Sequence, residues 1–139
     1  MKIKEVIDYK IGLLLDLLLT DGVSPSDLAN NIFLEEYSEI VFHKDKEMVI
    51  AELIFIENGT KEVKMVYSYD GHMKVQRIEE YINSNKKLLW DRSMREQELI
   101  NEIIDLMKTS YTVAQIDKFI STLPDFLRTK MKCELIKTA

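Results

Sequence analysis

The reading of the fold turns on residues 37–82, YSEIVFHKDKEMVIAELIFIENGTKEVKMVYSYDGHMKVQRIEEYI. Apolar runs alternate there with three groups of turn-forming residues: His43-Lys44-Asp45-Lys46, Glu57-Asn58-Gly59-Thr60 and Tyr69-Asp70-Gly71-His72. Asn-Gly and Asp-Gly between apolar runs are strong hairpin signals, because a type I′ turn needs positive φ at both central residues. The pattern predicts a four-stranded antiparallel meander. Met48 to Ile56 is apolar but for Glu52, which suits a strand covered on most of both faces. Val63, Met65, Tyr67 and Tyr69 alternate with Lys64, Val66, Ser68 and Asp70, the period of a half-buried strand. Met73, Val75 and Arg77 continue it as a weaker strand.

Outward from this block the signals become helical. Ile3, Ile7, Ile11, Leu14 and Leu18 form one stripe of a helix over 3–19. Leu13, Leu15, Leu17 and Leu19 make its second half apolar nearly all round, so it is buried on all sides or meets a partner. The stripe about Leu15 and Leu19 therefore lies under the C-terminal helices or against a second copy, which admits a homodimer. Ser24 as N-cap with Pro25 in the first turn starts a short second helix, expected to run to Phe33 and to bury Leu28, Ile32 and Phe33. Downstream, Ser93/Glu96, Thr112/Gln115 and Thr122/Asp125 have capping-box spacing, predicting helices near 94–109, 113–121 and 124–136. Their expected core is Leu99, Ile103, Leu106, Met107, Ile116, Phe119, Ile120, Leu127, Met131 and Leu135. A further helical segment is expected from Asn83 to Trp90. Strands flanked by helical blocks give an α+β class: a helical hairpin over 1–34, the sheet over 37–82, and a bundle of three to four helices over 83–137. A chain of 139 residues reads as one domain.

Charge narrows the function. The net charge is −5, and residues 1–40 alone carry three Lys against eight Asp and Glu. An acidic front half is a poor binder of phosphate backbones, so no nucleic-acid partner is expected. The phrase Ser24-Pro25-Ser26-Asp27-Leu28-Ala29 after Asp21-Gly22 resembles the lead-in to the second helix of winged-helix regulators. That resemblance would imply a transcription regulator using residues 3–33. Its base-reading helix should then be basic, and Glu35, Glu36 and Glu39 follow instead.

Chemistry-bearing motifs are absent. One cysteine, Cys133, and two histidines leave no disulfide and no zinc spacing, so neither metal nor cofactor is expected. The four glycines are isolated, which removes a phosphate-cradling loop. Neither an export signal nor a run long enough to span a bilayer is legible, and a cytoplasmic protein without membrane contact is the expectation. Catalytic residues are not expected; the enzyme alternative would place a small site near His43 or His72, with Tyr67, Tyr69 and Asp70. The preferred reading is a non-enzymatic regulatory protein acting by protein–protein contact, an inhibitor or adaptor. Abundant Lys, Ile and Asn with few Ala and Gly suits an AT-rich bacterial or phage genome. Trp90 with Lys86, Lys87, Arg92 and Arg95 offers one large aromatic among four cations, a hot-spot composition, and Leu15 and Leu19 complete the candidate contact residues.

Overall fold

The computed structural model describes residues 2–137 and is α+β, with five antiparallel strands in one sheet and five α-helices among them. Its contacts divide between two compact units, one of residues 2–18 with 94–137, the other of Leu19–Ser93.

The first unit is helical. It holds α1 (Ile3–Leu19) up to Leu18, α3 (Arg92–Ser110) from Met94, α4 (Val113–Ser121) and α5 (Asp125–Lys137). Ile7, Ile11 and Leu14 of α1 share one core with Leu99, Ile103, Met107, Ile116, Ile120, Leu127 and Met131, and with Ile100, Ile104 and Leu123, which the sequence reading omitted. Leu106, Phe119 and Leu135 are partly buried against this core, as are Leu13, Leu15, Leu17 and Leu18. The leucine-rich end of α1 is thus packed on several sides by its own unit. Leu28 of α2 (Pro25–Asn30) belongs to the sheet's own cluster, not to the core that holds Ile7, Ile11 and Leu14 of α1.

The caps repay comparison. Thr112 and Gln115 form the expected capping box: Gln115 N–H donates to Thr112 Oγ1 (3.2 Å) and Thr112 N–H to Gln115 Oε1 (2.8 Å). The other two boxes do not form. Helix α3 starts at Arg92, directly after the last strand, so Ser93 is already helical, and Glu96 pairs with Lys130. Thr122 closes α4, its hydroxyl donating to the Phe119 carbonyl at 2.6 Å, while the Pro124 carbonyl accepts from Leu127 and Arg128 at the start of α5.

The second unit is the meander β1 (Tyr37–Asp45), β2 (Met48–Glu57), β3 (Lys61–Tyr69), β4 (Val75–Ile82) and β5 (Asn85–Asp91), with strands adjacent in chain order. The fifth strand replaces the helical segment expected over Asn83–Trp90. Asn83 and Ser84 take φ 51° and 68°, and Ile82 faces Asn85 across this two-residue turn. Consecutive left-handed residues reverse the chain as a type I′ turn does, and a helix cannot pass through them.

The other turns also differ in detail. Asn58 and Gly59 are both left-handed (φ 54° and 76°), as expected, but Thr60 is an extra loop residue, because Glu57 faces Lys61. At the β1–β2 turn His43, Lys44 and Asp45 remain in the strand, and the reversal is Lys46-Glu47, with Lys46 at φ 58°. At the third turn the left-handed residue is Met73 (φ 62°) rather than Gly71. Met73 N–H donates to the Asp70 carbonyl and Asp70 N–H to the Lys74 carbonyl, both at 3.1 Å, a three-residue loop of type I turn plus bulge.

Register sets the two faces. Phe42, Ala51, Tyr67, Ile78 and Trp90 form one row across all five strands, on the face that carries Leu28, Leu53, Tyr69 and Val75. The opposite face carries the row Val41, Glu52, Val66, Glu79, Leu88, with ion pairs Lys64–Glu52 (3.4 Å), Lys86–Glu79 (2.6 Å) and Arg77–Asp91 (3.1 Å).

The segment before α2 is bound tightly to β4. Val75 N–H donates to the Asp21 carbonyl at 2.8 Å, and the Tyr69 hydroxyl to the Val23 carbonyl at 2.7 Å. Between them Gly22 sits at φ 85°, where an added Cβ would meet Val75 Cγ2 at 2.9 Å. Gly22→Ala combines a left-handed backbone with overpacking against a buried valine and is expected to cost roughly 2 kcal/mol or more, read from urea unfolding. Met73→Gly should do the opposite. It relieves a left-handed non-glycine residue in an exposed loop, and is expected to raise stability by roughly 1 kcal/mol; an unchanged or lower urea midpoint would refute the strain at that position.

Candidate protein-contact surface

Arg92 is not a surface cation. Its side chain is 6% exposed, Nε donates to the Val75 carbonyl at 2.7 Å, and Nη2 donates to the Thr20 carbonyl at 3.1 Å. Its guanidinium lies 5.2 Å from the centroid of the Trp90 ring, within cation–π range. Trp90 is half-buried on the Leu28 face. Lys86 points from the opposite face, where Glu79 holds it; the hydrogen bond and the charge of that carboxylate push the ammonium above its ordinary pKa. Lys87 is exposed and faces Glu80 across β4–β5. Arg95 lies in α3, in the helical unit, 3.2 Å from Glu98. The five residues adjacent in sequence are thus distributed over two faces and two units, and Arg92 and Lys86 are engaged in holding the sheet. Leu15 is half-buried in the helical unit, and Leu19, at the end of α1, is exposed.

The groups near the histidines serve local structure. His43 is an exposed strand residue opposite Ile50, and His72 is an exposed loop residue. Asp70 Oδ1 accepts from the His72 and Lys74 backbone N–H groups at 2.9 and 3.0 Å, and Oδ2 accepts from Gln76 Nε2 at 2.9 Å. Burial opposes charge on this carboxylate, but the two N–H bonds outweigh it, helped by the charges of Lys74 and His72, and hold it below the usual carboxylate range. Tyr69 is fully buried and donates to Val23; burial, then the neighbouring Tyr67 and Asp27, push its phenol up to about 12. Burial also raises Tyr67 and, with the charge of Glu36, Tyr37. Among the described residues no group of three or more His, Cys, Asp or Glu is arranged to hold a metal, and no helix is long and apolar enough to cross a membrane.

Ile32 and Phe33, expected inside from the sequence, lie outside, and Leu34 with them. Ile32 is 43%, Phe33 86% and Leu34 48% exposed. The physical cause is local. Helix α2 ends at Asn30, and Asn31–Phe33 wind as a tighter 3-10 turn, which changes the angular phase that a continued α-helix would have kept. Leu34 then turns extended (φ −79°, ψ 139°). The resulting knuckle is fixed at both ends. Ser24 Oγ accepts from Asp27 N–H at 3.1 Å and Leu28 is buried under the sheet; beyond it, Tyr37 N–H donates to the Leu34 carbonyl at 3.2 Å and Ile56 N–H to the Glu36 carbonyl at 2.9 Å. That last bond ties the knuckle to the end of β2, where Ile56 is itself exposed. Tyr37 and Phe55 rings, 5.0 Å apart, pack beside it. Exposed Glu35, Glu36 and Glu39 follow directly. The signal in the sequence was the Asn30-Asn31 pair, which favours ending a helix over prolonging it.

Comparison with family models, with curated proteins and with solved structures finds no match to this chain.

The Tyr69 phenol carries a pH dependence. A group whose pKa rises from 10 to about 12 on folding contributes stability that is complete below pH 10 and is lost as the pH climbs towards 12. Wild-type stability is therefore expected to fall across that interval in alkaline urea titrations. Tyr69→Phe should lose about 1–2 kcal/mol at neutral pH, since the Val23 carbonyl loses its donor, and should show a shallower alkaline decline, the remainder coming from Tyr67 and Tyr37.

Proposed function

We propose that this protein is a small non-enzymatic regulatory protein, an inhibitor or adaptor acting in the cytoplasm, that works by presenting the Ile32-Phe33-Leu34 knuckle to a protein partner. One observation carries the reading: three consecutive large apolar side chains are exposed on backbone that is hydrogen-bonded to a sheet. Single exposed apolar residues are ordinary on protein surfaces, whereas a contiguous group marks a contact. Aromatic residues are enriched at interface centres, and burying a phenylalanine contributes roughly 1.5–3 kcal/mol. A preformed knuckle also avoids much of the ordering cost that a flexible segment would meet on binding. The tight placement of Gly22, Tyr69 and Arg92 around β4 supports the same reading, since it supplies the rigid base. The ion-paired opposite face of the sheet, with a shallow cleft of about 370 Å³ lined by Lys64, Tyr81 and Asn83, exposes Val41, Ile56 and Leu88 only in part and on three separate strands, and is a weaker candidate.

The test is a comparison of affinity isolations from native cells with wild type and Phe33→Ser. The variant should fold with an unchanged urea midpoint, because the side chain it removes is exposed. A specific protein retained by wild type and lost with Phe33→Ser, at a cost of about 2 kcal/mol or more in the measured affinity, is the expected outcome. Equal retention by the variant would remove the knuckle from the contact.

A further inference from the structure

The charge around the knuckle narrows the partner, and this step rests on the contact reading just given. From Leu19 to Phe42 the sheet unit carries Asp21, Asp27, Glu35, Glu36 and Glu39 and no Lys, Arg or His. Glu35 and Glu36, both exposed, directly follow Leu34, Glu39 is exposed in β1, and exposed Glu57, which faces exposed Lys61, follows Ile56 at the end of β2. The knuckle is therefore an apolar projection followed along the chain by exposed carboxylates. We infer that its partner is a different protein whose apolar pocket is rimmed by lysine and arginine.

Two physical arguments favour that occupant. A pocket that receives Phe33 brings its own rim towards the carboxylates of Glu35 and Glu36, two and three residues on. A cationic rim gains Coulomb energy and steers the encounter, whereas an acidic one is repelled. A second copy is disfavoured by symmetry: an isologous pair built on this patch sets the same surface against itself, and would bring Glu35, Glu36 and Glu39 of both copies together without a cation between residues 19 and 42. The same carboxylates disfavour anionic membranes.

The probes are defined peptides: an amphipathic peptide of leucine and lysine, its leucine–glutamate counterpart, and poly-lysine, titrated into the isotope-labelled full chain with backbone amide shifts as readout. The leucine–lysine peptide is expected to move the amides of residues 31–39 and of Ile56 and Glu57, with affinity that falls as salt rises. Phe33→Ser should weaken it by about tenfold or more, and the triple change of Glu35, Glu36 and Glu39 to Gln should remove most of the salt dependence. If the leucine–glutamate peptide binds the knuckle as well as the lysine one, the cationic rim is wrong while the contact reading stands. If neither peptide moves these amides, both readings fall. Poly-lysine binding that is equal in strength and unaffected by Phe33→Ser would show a merely acidic surface and overturn the inference. Self-association by light scattering that Phe33→Ser abolishes would assign the knuckle to a second copy. Phe33-dependent binding to phosphatidylcholine vesicles would assign it to lipid; either of those results also overturns it.

Discussion

The sheet unit depends on a small knot of polar atoms around Val75. Its N–H reaches the Asp21 carbonyl, and its own carbonyl accepts from Arg92 Nε, whose Nη2 reaches the Thr20 carbonyl. Hydrogen bonds that involve a charged group are among the stronger ones, at roughly 1.5–3 kcal/mol each. Thr20 and Arg92 lie next to the two points where the chain crosses between the units, Leu18–Leu19 and Ser93–Met94. The bond between them joins the two ends of the sheet unit. Gly22 is the steric counterpart of this arrangement, since only a residue without a Cβ allows the segment to lie against Val75 at that distance.

From that knot the rest of the unit follows in sequence. With residues 20–23 laid along the start of β4, Ser24 caps α2 over the apolar face, and Leu28 is buried among Ala51, Leu53 and Tyr69. The helix is only six residues long, so the chain leaves the sheet's cover after fewer than two turns and has to reach β1. The 3-10 turn and the extended Leu34 make that passage, and exposure of Phe33 is its consequence. The two sheet faces divide the labour: one holds the apolar row from Phe42 to Trp90, the other mixes apolar residues with three cross-strand ion pairs. Cross-strand charge pairs of this kind contribute modestly to stability but discourage alternative registers.

Much of this architecture was legible in the chain. Turn residues between apolar runs located β1 to β4 within residues 37–82, and helical periodicity located α1, α3, α4 and α5 with most of their buried residues. Those features depend on interactions between near neighbours, which a one-dimensional pattern records. The fifth strand was not legible, because Asn83-Ser84 is a weaker turn signal than Asn-Gly and the run NKKLLWD has no period-2 alternation. Its assignment depends on β4 offering a free edge, which is a long-range fact. Met73 and Lys46 in left-handed backbone were hidden for a related reason: sheet register decides which loop residue takes the strain, and at the third turn it falls on Met73, two residues after Gly71.

The candidate contact surface was the least legible part. Trp90, Arg92 and Lys86 looked like one patch because they are close in sequence, yet strand alternation sends neighbours to opposite faces and burial converts Arg92 into a scaffold residue. Ile32 and Phe33 looked like core because they are apolar and follow a helix. By itself, the sequence determined the α+β class, most element positions, the acidity of the front half and the helical core. The tertiary structure alone decided that α1 packs with the C-terminal helices, that Arg92 is internal, and that Ile32-Phe33-Leu34 faces water. The reason is that hydrophobicity states which side chains gain from burial, while only the geometry of the packed chain states which of them find a place.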